Sequence, residues 1–127
     1  MLSFRDKFKI GGYYLATILA TRHASGFIPI RKAKKLPSAD IAPVITAEYG
    51  TEYSQDSIGI ITDADYKDKT VLVIDDLVAT GGSLEAADRL LTEAGMEVLG
   101  SAVVYCVEPL LETAKARVPN LSVLLSG

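Results

Sequence analysis

Residues 71–83 carry the clearest chemical signal in the sequence. An apolar run leads to the adjacent acids Asp75 and Asp76 and then to a Thr-Gly-Gly-Ser turn at residues 80–83. Ligands of α/β proteins bind beyond the carboxyl ends of the strands, and a glycine turn that opens a helix presents backbone N–H groups to an anion. The acids suit ribose hydroxyls or a metal ion, and the turn suits a phosphate. The segment therefore predicts a site for a phosphorylated sugar.

The two acids can serve one ligand only if the strand has already given way to a loop, because adjacent residues of an extended strand point to opposite faces. We expect that break here. Gly81 and Gly82 allow a positive φ and close approach of the backbone, and hydroxyl groups flank them. Either half alone also fits a capped strand or an ordinary βα turn. The pattern is not a P-loop, which needs a Lys after the glycines, and not a dinucleotide fingerprint, which needs a third glycine.

Size and charge restrict the class of protein. A chain of 127 residues predicts a single domain over residues 1–127. A net charge of -3 argues against a nucleic-acid partner, and the basic residues 31–35 form only a local cluster. The apolar stretch at residues 13–20 is too short to span a bilayer, so we expect no membrane partner and a cytoplasmic location. The single Cys106 lies in an apolar run and is expected to be a small buried hydrophobe.

Helices and strands alternate along the chain, which predicts an α/β fold with a right-handed parallel sheet. Residues 44–49 and 57–62 alternate in polarity and predict an antiparallel hairpin, whose long tip at residues 50–56 would act as a lid. The remaining predicted strands are residues 27–30, 70–74, 97–107 and 121–125. Helices are predicted at residues 13–24, 83–94 and 110–118. The predicted buried face of the first consists of Tyr14, Ile18 and Leu19, and that of the second consists of Leu84, Ala87, Leu90 and Leu91.

The sequence resembles the type I phosphoribosyltransferases, whose signature is a hydrophobic strand, two acids and a Thr-Gly turn. Three further segments are similar to the adenine branch of that family, in the same order: Gly-Phe-Ile-Pro-Ile-Arg-Lys (26–32), Lys-Leu-Pro (35–37) and Glu-Tyr-Gly-Thr (48–51). The resemblance covers residues 12–127. It implies a parallel-sheet core with flanking helices and a hairpin lid, in a homodimer. Family members have a longer N-terminal region that forms a hood over the base, and we expect most of that hood to be missing here.

The resemblance implies a Mg²⁺-dependent reaction of adenine with 5-phosphoribosyl 1-diphosphate, giving AMP and diphosphate. Asp75 and Asp76 would bind the ribose hydroxyls near the metal, whose protein ligands stay unknown. Glu48 would handle the proton of the purine, with Tyr49 beside it. The 5-phosphate would lie on Ala79, Thr80, Gly81, Gly82 and Ser83, and the diphosphate would face Arg31, Lys32 and Lys35.

Purely structural interpretations of some of these residues, and a second function, stay open. Read without the resemblance, Glu48 and Tyr49 fit a solvated hairpin edge, and residues 31–35 fit a solvated charge run. The loop at residues 9–13 has Lys9 but lacks the Arg with which family members help to bind diphosphate. The alternative function is a noncatalytic module that binds 5-phosphoribosyl 1-diphosphate or AMP, or a shortened variant that modulates a full-length partner.

Overall fold

Three stretches of the chain are described by the computed structural model: residues 11–50, 55–62 and 65–127. The elements in chain order are α1 (Gly11–Arg22), β1 (Arg31–Lys32), β2 (Val44–Gly50), β3 (Gln55–Ile61), β4 (Thr70–Val78), α2 (Gly82–Glu93), β5 (Glu97–Cys106), α3 (Leu111–Arg117) and β6 (Leu121–Ser126). Short 3-10 helices occupy Ala33–Lys35 and Glu108–Leu110.

The second half of the chain forms a parallel sheet in the order β4-β5-β6. Helix α2 joins β4 to β5, and α3 joins β5 to β6, as parallel neighbours require. The apolar stripe of α2 is buried as predicted, with Leu84, Ala87, Leu90 and Leu91 all at 0% exposure. Gly95 ends that region with a φ of 92°, which a residue with a side chain rarely adopts. The predicted α/β class and parallel core are confirmed.

The first half forms a separate antiparallel sheet in the order β1-β3-β2. Strands β2 and β3 pair from Val44 opposite Ile61 to Gly50 opposite Gln55, which confirms the hairpin. The centre of its predicted tip, residues 51–54, lies outside the described residues. The strand predicted at residues 27–30 is wrong by a few positions, because regular pairing begins only at Arg31. Ile30, Ile58 and Ile60 of this sheet join Val73 and the α2 leucines in one core, so α2 lies against both sheets.

Helix α1 does not bury the face that was predicted. Tyr14 is 58% exposed and Ile18 is 61% exposed, whereas Ala16 is buried against Ile74 of β4. Apolar residues occur on almost every side of this helix, so periodicity could not single out one face. The small Ala16 allows the helix to approach the strand closely. The helix also ends at Arg22, before Ala24 with its φ of 52°, rather than at Gly26.

Two further expectations can be checked against the described residues. Cys106 is a free, fully buried thiol, as predicted. No helix in the described stretches is long and apolar enough to cross a membrane.

Candidate functional site

The turn after β4 leaves the start of α2 open to solvent. Gly81 is the N-cap of α2 and has a φ of 88°, and none of the described side chains caps the helix. The first N–H groups of a helix have no partner within the helix, and the helix dipole adds a partial positive charge there. Ala79 and Thr80 are exposed on the way into this turn. The turn therefore offers an anion several donors at once.

Both glycines of the turn lie on the end of α3, and this contact restricts Gly81 more than Gly82. A Cβ atom at Gly81 would lie 2.8 Å from Val118 Cγ2, a buried methyl group that has no room to move. A Cβ atom at Gly82 would be 3.5 Å from the guanidinium of Arg117, which is an ordinary contact. Gly81 is thus required by both its backbone angle and its neighbour, whereas Gly82 tolerates a side chain.

A cleft of about 460 Å³ opens above the turn. It unites residues from both halves of the chain, which the sequence places far apart. Its lining residues are Tyr49 and Gly50 from β2, Asp56 from β3, residues 79–83 and Arg117 from α3. All five residues that were predicted to hold the 5-phosphate are therefore on one wall of the cleft.

The predicted break in the strand at the two acids is wrong. Strand β4 continues to Val78, so Asp75 and Asp76 lie within it and point to opposite faces. Asp75 is 1% exposed and shares its face of β4 with Val73, which packs in the same core as the apolar residues of α2. Asp76 is half-buried on the side where Ile74 packs against α1.

Asp75 lacks the partners that an ionised buried carboxylate needs. Its Oδ1 accepts a hydrogen bond of 2.8 Å from the Asp76 backbone N–H, but its buried Oδ2 has no hydrogen-bond partner among the described residues. Burial, reinforced by the neighbouring Asp76 carboxyl, raises the pKa of Asp75 to about 9. Asp75 is consequently a neutral acid at pH 7.

A polar network joins the hairpin to the floor of the cleft. Lys32 Nζ lies 2.8 Å from Asp56 Oδ2, and the Tyr49 hydroxyl donates to the same oxygen at 3.4 Å. The hydrogen bond from Lys32 is the main reason that the pKa of Asp56 is lowered. Burial, followed by the charges of Asp56 and Asp75, raises the pKa of Tyr49 to about 12. Tyr49 therefore keeps its proton at neutral pH.

The other predicted site residues do not line the cleft. Lys32 reaches it only through Asp56, Arg31 is exposed beside the Tyr13 hydroxyl, and Lys35 ends the first 3-10 helix. Glu48 is exposed and, as the strand neighbour of Tyr49, points to the opposite face of the hairpin.

Three residues at the site were missed by the sequence reasoning. Asp56 and Arg117 line the cleft, and Arg89 of α2 donates to the backbone carbonyl of Glu48 at 2.7 Å. None belongs to a motif, and their roles depend on contacts between distant parts of the chain. A basic residue in the last turn of a predicted helix was the one available signal for Arg117.

Metal-ligating side chains do not cluster in the part of the chain that the structure describes. No group of three or more His, Cys, Asp or Glu side chains is placed to hold one ion within the described stretches. The two β4 acids cannot act as a pair, because they point to opposite faces of the strand. Magnesium ions are often held largely by substrate phosphates and water, with few protein ligands.

Comparison with known proteins agrees with this architecture. Residues 9–119 match the phosphoribosyl transferase domain family. The chain belongs to the phosphoribosyltransferase family. The match includes α1, the antiparallel sheet, strands β4 and β5 and the Thr-Gly-Gly-Ser turn, and it ends before β6 begins.

Individual relatives within the family carry a more specific name. The chain is 41% identical over 113 residues to an adenine phosphoribosyltransferase of Synechocystis, covering 89% of this chain and 62% of that protein. It superimposes on the adenine phosphoribosyltransferase of Rhodothermus marinus with a TM-score of 0.79 at 34% identity, covering 91% of this chain and 64% of that one.

A yeast structure shows what such a relative binds. The Saccharomyces cerevisiae adenine phosphoribosyltransferase, in complex with an imino-altritol bisphosphate and adenine, matches with a TM-score of 0.78 at 30% identity. That match covers 89% of this chain and 61% of the yeast chain. The chain thus spans about three fifths of the length of each of these relatives.

Proposed function

We propose that this protein transfers a phosphoribosyl group from 5-phosphoribosyl 1-diphosphate to adenine, forming AMP and diphosphate. The observation that carries the proposal is the cleft in which the uncapped start of α2 faces Tyr49 and Asp56 of the hairpin. A phosphate on the turn would put the attached ribose in that cleft. The adenine phosphoribosyltransferases that the chain resembles support the choice of adenine as acceptor.

The residues of the turn would fix the donor by its phosphate. Backbone N–H groups at residues 81–83 and the hydroxyl groups of Thr80 and Ser83 are donors in a fixed arrangement, which requires little reorganisation when the anion binds. Ribosyl transfer develops positive charge on the sugar and negative charge on the departing diphosphate. Holding the sugar by its phosphate would therefore leave the reacting carbon in the cleft, beside the half-buried Tyr49.

The acids of β4 and the basic residues of β1 would act on the rest of the donor. Asp75 and Asp76 are both proposed to bind the ribose hydroxyls, which requires the end of β4 to change conformation when the donor binds, because the two acids point to opposite faces of the strand. Arg31, Lys32 and Lys35 are proposed to face the diphosphate. Lys32 is tied to Asp56 at 2.8 Å, so the diphosphate would have to compete with that carboxylate for it. Mg²⁺ is included as an ion that accompanies the diphosphate, because phosphates and water often supply most of its ligands.

Glu48 is the proposed proton handler for the purine. Its carboxylate points away from the cleft, whereas its backbone carbonyl is held by Arg89 at 2.7 Å. The role therefore requires the hairpin to change position when substrates bind, which is testable. We expect Glu48→Gln to lower kcat at least tenfold with little effect on donor binding.

The experiment is a purine turnover assay on the whole chain, with adenine, hypoxanthine, guanine and xanthine as acceptors, with Mg²⁺ and with EDTA. We expect AMP from adenine in preference to the other products, and loss of turnover in EDTA. Asp76→Asn is the matched variant on β4, because it removes a half-buried charge without changing side-chain size. Folded protein that makes no AMP would contradict the proposal. If Asp76→Asn forms AMP at the wild-type rate, Asp76 has no part in the proposed reaction.

Binding without turnover is the second candidate function. Two observations favour it. Glu48, the predicted proton handler, is exposed, and Lys32, which was predicted to face the diphosphate, is already paired with Asp56. Calorimetry separates the two functions, because a binding module takes up 5-phosphoribosyl 1-diphosphate or AMP and forms no product. A homodimer and a cytoplasmic location complete the proposal. The first is checked by sedimentation and the second by imaging of the tagged protein.

A further inference from the structure

Arg117 brings a positive charge into the cleft that no motif predicts. Of the nine described residues that line the cleft, Asp56 and Arg117 are the two with charged side chains. Asp56 already lies 2.8 Å from Lys32, so the cation available to an anion in the cleft is Arg117. It is the last residue of α3, and Val118 beside it is buried, so the backbone that carries it is firmly held.

The guanidinium of Arg117 is held in one orientation. Its Nε donates to Glu85 Oε2 at 2.9 Å, and Glu85 lies in the first turn of α2. The ideal Cβ position of Gly82 is 3.5 Å from Nη1, 3.6 Å from Cζ and 3.7 Å from Nη2. These nearly equal distances mean that the flat face of the guanidinium rests on Gly82. Its terminal nitrogens therefore lie beside the first residue of α2.

The terminal nitrogens of Arg117 have unused donors. Each carries two N–H groups, and the described part of the structure shows no hydrogen-bond partner for either nitrogen. The fork of a guanidinium matches the oxygens of a phosphate, with which it forms two parallel charge-assisted hydrogen bonds. The uncapped N–H groups of α2 are adjacent to it, because Gly82 is the first residue of that helix. One phosphate can thus satisfy both sets of donors.

We propose that Arg117 is a substrate-binding residue that holds the phosphate monoester of a phosphorylated sugar, with Glu85 as its positioning residue. The inference rests on the proposed function in one respect, that a phosphorylated sugar occupies this cleft. Glu85 offsets the charge of Arg117 at long range while fixing the plane of its guanidinium. Binding then depends on the geometry of the phosphate, and an anion whose oxygens do not match the guanidinium donors gains little binding free energy.

A structural ion pair between α2 and α3 is the competing explanation. Both side chains are well exposed, at 40% for Arg117 and 38% for Glu85, and exposed pairs contribute little to stability. The two explanations differ in a measurable way. A structural pair affects unfolding alone, whereas a phosphate ligand affects the affinity for a phosphorylated sugar and leaves unfolding nearly unchanged.

The test measures binding of ribose 5-phosphate to the whole chain by calorimetry. Arg117→Met keeps the aliphatic stem and removes the charge, Arg117→Lys keeps the charge and removes the fork, and Arg22→Met on the exposed end of α1 is the matched control. Loss of a charge-assisted contact should weaken binding about tenfold to a hundredfold in Arg117→Met. We expect a smaller loss in Arg117→Lys, none in Arg22→Met, and a weaker dependence of affinity on salt in Arg117→Met.

The outcomes separate this inference from the proposed function. Wild-type affinity in a folded Arg117→Met would overturn the inference and leave the proposed activity standing. Arg117-dependent binding without AMP formation would support the inference and contradict the proposed activity. A wild-type chain that does not bind ribose 5-phosphate would overturn the inference, and the AMP assay would still decide the proposed activity. Thermal unfolding of each variant, with Arg117→Lys as the milder change, shows whether lost affinity reflects lost structure.

Discussion

Replacement of Gly81 by Ala tests whether the turn is held by the end of α3. The substitution places a side chain on a residue with a φ of 88° and puts its Cβ 2.8 Å from Val118 Cγ2. The left-handed backbone costs a non-glycine residue about 1–2 kcal/mol. Overpacking against a buried side chain adds about 1–3 kcal/mol, since Val118 is 2% exposed and cannot turn into solvent. We expect a total loss of about 2–5 kcal/mol in the free energy of unfolding.

Gly82→Ala is the matched control for this prediction. The same methyl group is added one residue later, where the nearest atom is 3.5 Å away and the backbone is helical. Alanine reduces the freedom of the unfolded chain at such a site, so we expect a change between zero and a gain of about 1 kcal/mol.

Thermal and urea unfolding, followed by circular dichroism, measure both variants. A loss of about 2–5 kcal/mol corresponds to a fall in Tm of roughly 10–20 °C for a domain of this size. If Gly81→Ala and Gly82→Ala unfold within about 2 °C of each other, either the positive φ or the Val118 contact is wrong. In that case the geometry of the anion site would need revision.

The remaining predictions concern the acid beneath the cleft and the contact that holds the hairpin. The raised pKa of Asp75, about 9, means that between about pH 4 and pH 9 the folded chain keeps a proton that the unfolded chain releases. The free energy of unfolding should therefore fall as pH rises through this window, by at most about 1.4 kcal/mol per pH unit. In Asp75→Asn, the free energy of unfolding measured by chemical denaturation should depend less on pH. Parallel curves for the two proteins would contradict this ionisation. Arg89→Met removes the 2.7 Å hydrogen bond to the Glu48 carbonyl. Hydrogen exchange should accelerate in β2 and not in β5, and equal protection of β2 in both proteins would contradict the contact.

The parts of the fold that were predictable depend on local chemistry. The stripe of α2 repeats with the helical period and ends at a glycine, and the hairpin strands alternate in polarity, so their patterns identified them. Helix α1 was assigned the wrong face because apolar residues surround it. In that case the small Ala16, rather than the large Tyr14 or Ile18, determines which side meets the sheet.

In the candidate site, too, local patterns were predictable and contacts between distant residues were not. The Thr-Gly-Gly-Ser turn was identified because a glycine turn between a strand and a helix is a local pattern. The end of β4 was misjudged because adjacent acids are unusual inside a strand, and a buried carboxyl with a raised pKa cannot be inferred from residue type. Arg117 was missed because it lies far from the turn in sequence and reaches Gly82 only through the packing of α3.

The charges around the cleft suggest how it would distinguish a phosphorylated sugar from other anions. Asp56 is paired with Lys32 and Arg117 with Glu85, so each charged lining residue is offset by a neighbour. Tyr49 and the buried Asp75 keep their protons at neutral pH, because their pKa values are raised to about 12 and about 9. The cleft therefore attracts anions only weakly at a distance. An anion is stabilised when it reaches the uncapped N–H groups of α2 and the free edge of Arg117 together, which a tetrahedral phosphate can do and a single carboxylate does less well. Selectivity then comes from donor geometry, so Arg117→Lys, which keeps the charge and removes the fork, should still lose part of that selectivity.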